Sequence, residues 1–126
     1  MHKITNAAKA VGILPPNLEF VDESEAGHFP PEHILYLCTG SQGEPRAALS
    51  RIARGDHRHV ILREGDTVIF SSRQIPGNEK GIFALQNGLA DKGIRVITPR
   101  MVPQKIHVSG HPCRDELRRM YQWVRP

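Results

Sequence analysis

A chain of 126 residues, 39% hydrophobic and 24% charged, has the length of one domain and enough apolar side chains to bury a core. No run approaches the ~18 consecutive apolar residues that a membrane-spanning helix needs, and Met1-His2-Lys3-Ile4-Thr5-Asn6 lacks the basic-then-apolar order of a secretory leader, so a cytoplasmic setting with no membrane partner is expected. The net charge of +4 hides an asymmetry: residues 1–44 carry Lys3 and Lys9 against six acids, whereas from Pro45 onward fifteen Lys and Arg face seven acids, a field that suits phosphates.

In chain order, Ile4, Ala7, Ala8 and Val11 recur at helical spacing, and Gly12 with Pro15-Pro16 ends that helix. Residues 17–33 are acidic and broken by proline, with Phe29-Pro30-Pro31 as a turn or extended connector. Ile34-Leu35-Tyr36-Leu37-Cys38 is a short continuous apolar run that predicts a strand buried on both faces. A helix follows with Ala48, Leu49, Ile52 and Ala53 on one face, Pro45 at its first position and Gly55 as its stop. Val60-Ile61-Leu62 reads as an edge strand or turn-flanked stretch, and the β-branched run from Thr67 to Ser72 as a strand. After Gly77 a helix runs through Ile82, Leu85 and Leu89 to Gly93. Ile94–Thr98 and Ile106–Ser109 are further strands, and a last helix starts near Cys113 with Leu117, Met120, Tyr121 and Val124 as its buried stripe. Strands alternating with helices predict an α/β fold: a three-layer sandwich with a mostly parallel sheet.

Cys38 and Cys113 have no metal or redox spacing and read as ordinary reduced thiols. His57-Arg58-His59 lacks an accompanying carboxylate or cysteine pattern, so it reads as surface and no metal ligand is assigned. Phe70, Phe83 and the Tyr121–Trp123 neighbourhood are too few aromatics for a single-strand stacking platform.

Ligands of open α/β sheets bind beyond the carboxyl ends of the strands, where small and polar residues gather in a first, a second and a third loop. In Thr39-Gly40-Ser41-Gln42-Gly43-Glu44-Pro45, glycines allow close backbone approach and a helix start offers N–H groups. In the loop from Ser71 to Glu79, Ser71, Ser72 and Arg73 suit a phosphate, and equally suit capping and turn chemistry. In His107-Val108-Ser109-Gly110-His111, strand alternation would put two imidazoles and a hydroxyl on one side, as for an anion or acid–base site.

These blocks, in this order, resemble ribonuclease J. Thr39 to Pro45 is similar to its Thr-Gly-Ser-Gln-Gly-Glu-Pro block; Gly65-Asp66-Thr67-Val68-Ile69 with Ile75-Pro76-Gly77-Asn78-Glu79 is similar to the next; His107 to His111 is similar to its His-Val-Ser-Gly-His block. The resemblance covers residues 33–126 well and identifies the chain as the C-terminal part of a β-CASP domain, one partial domain over residues 1–126 without the metallo-β-lactamase core. It implies a parent enzyme that cleaves RNA, as endonuclease and 5′-to-3′ exonuclease, through water activated by two zinc ions, with 5′-monophosphorylated ends favoured. Carried onto this sequence, His111 matches the β-CASP histidine that binds or protonates the scissile phosphate, His107, Ser109 and Gly110 face RNA phosphate, and Gly40, Ser41 and Gln42 line the substrate groove.

The sequence holds no His-x-His-x-Asp-His metal motif, lacks the family's first β-CASP acidic motif and has Pro112-Cys113 where small residues are usual. The piece by itself is therefore expected to carry no cofactor and to be inactive. Its uncovered edges and faces predict self-association into a homo-oligomer. A free-standing α/β module that binds nucleic acid or a nucleotide is the alternative reading. A receiver-like domain lacks the acidic pair that it would need.

Overall fold

The computed structural model describes residues 2–126. Among them are four α-helices, α1 (His2–Ala10), α2 (Ala48–Arg54), α3 (Glu79–Ala90) and α4 (Arg114–Val124), two single 3₁₀ turns (Ala26–His28 and Pro31–His33), and two strands, β1 (Thr67–Ile69) and β2 (Arg95–Ile97). The α/β class with parallel pairing is what the structure shows. β1 and β2 run parallel with Thr67 opposite Arg95, Val68 opposite Val96 and Ile69 opposite Ile97, and α3 connects them. The ladder is bracketed by Arg95 N–H donating to Asp66 O at 2.8 Å and Phe70 N–H donating to Ile97 O at 2.8 Å.

The helical face read from spacing forms the core. Leu85 and Leu89 of α3 meet Leu49, Phe70 and Ile94, with Ala53, Leu62, Val68 and Val96 packed around them. Ile82, one turn before Leu85, is 1% exposed and Leu89 is fully buried. Burial of such side chains removes roughly 1.5–3 kcal/mol of apolar exposure each, so this small β1–α3–β2 unit with α2 is where the stability of the chain concentrates. Gly55 ends α2 at φ 86°, its N–H reaching the Arg51 and Ile52 carbonyls.

Five local expectations are corrected. Residues 34–38 and 106–109 join no ladder; Leu35 and Leu37 are exposed, and no neighbouring strand among the described residues supplies the backbone partners that a buried strand needs. α2 begins at Ala48 rather than at Pro45, which lies in the preceding turn. Ile4 and Val11 of the first helical stretch are exposed, and Thr5 is the buried residue there. The stripe Leu117, Met120, Tyr121 and Val124 of α4 is likewise exposed, because no other described element packs on it closely. Periodicity reports that a helix has an apolar face, not that a partner covers it.

One backbone contact fixes the loop after residue 38 to the core. Gly43 has φ +75°, and a Cβ there would lie 2.4 Å from the carbonyl carbon of Gly81 in the first turn of α3. A Cβ on Gly81 would meet nothing closer than 3.6 Å. The two glycines therefore differ sharply in tolerance. Gly43→Ala is expected to cost roughly 3 kcal/mol or more, from the left-handed backbone and the overlap. Gly81→Ala should be neutral or stabilise by up to about 1 kcal/mol through helix propensity. Denaturant melts of the two variants check this, and equal losses would contradict it.

Candidate nucleic-acid interface

The first loop is a closed turn. Gly43 N–H donates to Gly40 O at 3.2 Å, Gln42 N–H donates to the Glu44 carboxylate at 3.0 Å, and Leu49 N–H donates to Thr39 O at 2.9 Å. Gly40 is buried at φ +116°, and a Cβ there would lie 2.9 Å from that of Ala47 and 3.0 Å from that of Leu49. Its glycine is required by the tightness of the turn. Of the N–H groups near the helix start, that of Leu49 is already occupied by Thr39 O. Ser41 and Gln42 are half-buried.

Gln42 joins this loop to the second. Its Nε2 donates to Arg73 O at 2.8 Å, and its Oε1 accepts from Ile75 N–H at 3.0 Å. The amide orientation is fixed by its partners, since the reversed group would set oxygen against oxygen and N–H against N–H. Within the second loop, Gly77 N–H donates to the Glu79 carboxylate at 2.8 Å, which prepares the start of α3. Ser71 and Arg73 are exposed, and Ser72 is half-buried.

The third block reaches the second through His107, whose Nδ1 stands 3.2 Å from Ser71 O. A carbonyl only accepts, so Nδ1 carries the hydrogen in that contact. His107 is half-buried, whereas Ser109, Gly110 and His111 are exposed. The block turns instead of running on as a strand: the Ser109 hydroxyl accepts from His111 N–H at 3.2 Å. The one-sided array expected from strand alternation thus gives way to one anchored imidazole and one solvent-facing imidazole.

All three loops are therefore linked, first to second by Gln42 and second to third by His107. Sequence reading missed the linking atoms, main-chain groups of Ser71, Arg73 and Ile75, because only folding brings residues about thirty positions apart together. Among the described residues no group of three or more His, Cys, Asp or Glu is placed to hold a metal ion. The donor set among the described residues does not fit a zinc centre.

The β-CASP domain of ribonuclease J, as a family, matches residues 1–89 of the chain. The chain belongs to that family. Proteins named Ribonuclease J are similar to it throughout: the Sinorhizobium meliloti protein is 48% identical over 100% of this chain, the Mycolicibacterium smegmatis protein 43% over 86%, and the Helicobacter pylori protein (strain 26695) 36% over 100%. The chain spans about a fifth of those relatives, 22%, 19% and 18% of their lengths respectively. Four helices and a parallel pair of strands among the described residues agree with a piece of an α/β β-CASP domain. No described helix is long and apolar enough to cross a membrane.

Both cysteines are free. Cys38 borders an open cleft of about 920 Å³, walled also by Leu18, Phe20, Phe29, Leu35 and Val60, which includes Thr39 but none of the third block. Although the residue keeps an exposed surface, desolvation by these neighbours pushes its thiol pKa up. A raised pKa leaves less thiolate at any pH below it. In a Cys113→Ser background, iodoacetamide should modify Cys38 with a pH midpoint above that of an unstructured cysteine peptide. An equal or lower midpoint would show that the cleft does not desolvate the sulfur.

Proposed function

We propose that this chain is part of an RNA-cleaving hydrolase of the ribonuclease J type, to which it contributes phosphate contacts rather than the metal centre. The observation that carries the reading is the linkage of the three loops: Gln42 and His107 tie to one another the loops that carry exposed Ser71, Arg73, Ser109 and His111, on a chain whose basic residues dominate from Pro45 onward. Arg73 and the hydroxyls supply donors for backbone phosphate, which position RNA without reading its sequence. His111, facing solvent with only its main-chain N–H engaged at Ser109, is assigned to the scissile phosphate. As an imidazolium its ring donates to a phosphate oxygen, and it can pass a proton to the leaving oxygen.

His107, Ser109 and Gly110 are assigned to neighbouring phosphate contacts, and Ser41 to the groove. Gly40 and Gln42 belong to the same wall, Gly40 through the turn it permits and Gln42 through the loop it holds. The parent would obtain a metal-activated water, with two zinc ions, from residues other than these. RNA with a 5′-monophosphate is the substrate class proposed, in a cytoplasmic setting.

The test uses the whole ribonuclease J protein that carries this segment, with a 5′-monophosphorylated RNA and zinc or manganese. His111→Ala is expected to lower kcat by roughly 10²–10⁴-fold, as removal of a proton-transfer group does. The 126-residue chain alone should give no metal-dependent cleavage. Unchanged kcat in the variant, or robust cleavage by the isolated chain, would refute the assignment.

The exposed stripe of α4, with Leu117 56% and Tyr121 65% exposed, is the surface to which we assign homo-oligomer formation by this chain. Sedimentation of the isolated chain should show a concentration-dependent rise in mass that Leu117→Glu with Tyr121→Glu abolishes. A monomer at all concentrations would contradict it.

A further inference from the structure

We infer that Gln42 is a positioning residue for His107: it holds the second loop so that the Ser71 carbonyl fixes which nitrogen of the His107 ring carries the proton. The inference rests on the RNA-facing reading of the third block, but its test does not need RNA.

The geometry forms a short relay. The carboxamide of Gln42 binds the second loop at Arg73 O and Ile75 N–H, 2.8 and 3.0 Å away, two points on either side of Gln74. Two bonds from one rigid planar group fix both the position and the orientation of that segment, which a single bond would leave free to rotate. Two residues before Arg73, the Ser71 carbonyl meets His107 Nδ1 at 3.2 Å, and on its other side β1 anchors the segment through Phe70 N–H to Ile97 O at 2.8 Å. Ser71 thus lies between a ladder bond and the Gln42 clamp. Gly43, next to Gln42, presses on Gly81 of α3, so the clamp itself is mounted on the core.

The chemical consequence concerns the ring. In neutral His107, Nδ1–H donated to Ser71 O leaves Nε2 as the acceptor, and Nε2 gains a hydrogen only when the ring becomes cationic. Without the clamp the Ser71–Ile75 segment relaxes, and the ring moves toward the Nε2–H form that an unheld histidine favours. Gln42 would then govern the third block without touching it.

Long-range proton–nitrogen NMR of the ¹⁵N-labelled 126-residue chain, at a pH where the ring is neutral, reads the two forms directly. The wild type should show mainly Nδ1–H at His107. Gln42→Ala should lower the ratio of Nδ1–H to Nε2–H several-fold, while the resonances of Leu89 and Ile94 report an intact core. If the alanine variant unfolds, Gln42→Glu decides, because it keeps the acceptor for Ile75 N–H and loses the donor to Arg73 O. A wild-type ring in the Nε2–H form, or an unchanged ratio in a folded variant, overturns the inference. Adding a 5′-monophosphorylated oligonucleotide to the wild type tests the RNA reading separately, at the Ser109 and His111 amides: a Gln42-dependent ratio with no RNA-induced shift there supports the positioning role and defeats the RNA reading instead.

Discussion

The arrangement of this chain hangs on one side chain that behaves like a piece of backbone. The Gln42 carboxamide presents an acceptor and a donor in the spacing of a peptide group, and the second loop accepts it at Ile75 N–H and Arg73 O much as it would accept a neighbouring strand. A hydrophobic contact could bring the two loops near one another but would not select their register. Paired directional bonds do, since a shift of one residue would set like groups against each other. The Gly43–Gly81 approach supplies what the bonds lack, a fixed distance to the core. One contact sets separation and the other sets orientation.

The centre of the fold was legible because its determinants are local. Ile82, Leu85 and Leu89 repeat at helical spacing, and their burial requires only that α3 cover a neighbouring surface, which β1 and β2 provide. Gly55 could be read as a stop because a left-handed residue at that place needs no partner elsewhere. The strand at 34–38 failed for the opposite reason. Apolar residues make a buried strand possible, but a strand exists only when another main chain answers its N–H and C=O groups. The same reasoning covers α4, whose stripe is real in the sequence and uncovered among the described elements.

The candidate site was legible as residue types and opaque as geometry. Loops rich in glycine, hydroxyls, Arg73 and histidine advertise polar chemistry in any fold, so Ser71, Arg73, Ser109 and His111 could be named from composition at strand ends. Their linkage runs through carbonyls and amide hydrogens, which every residue has and which no sequence pattern marks. Gln42 is an example: read as a groove residue, it has main-chain partners for its carboxamide that the sequence did not mark. Gly40, read as a point of ligand approach, also lies in a turn where a Cβ would meet Ala47 and Leu49.

The two imidazoles of the third block are held to different degrees, and that difference bears on what each can do. His107 is half-buried with one ring nitrogen engaged at Ser71, so its other nitrogen keeps a nearly constant direction and suits a fixed contact. His111 is exposed, and its side chain is tied to the block through its backbone alone, by the N–H bonded to Ser109. A group that transfers a proton must follow its partner over a few tenths of an ångström as bonds change, and a ring without a competing hydrogen bond follows more readily than one that would first have to break it. With one histidine anchored and the next but three free, the proposed roles would divide, placement falling to the first and proton movement to the second. Had strand pairing continued through residue 111, both rings would have shared one rigid face, and that division would be lost.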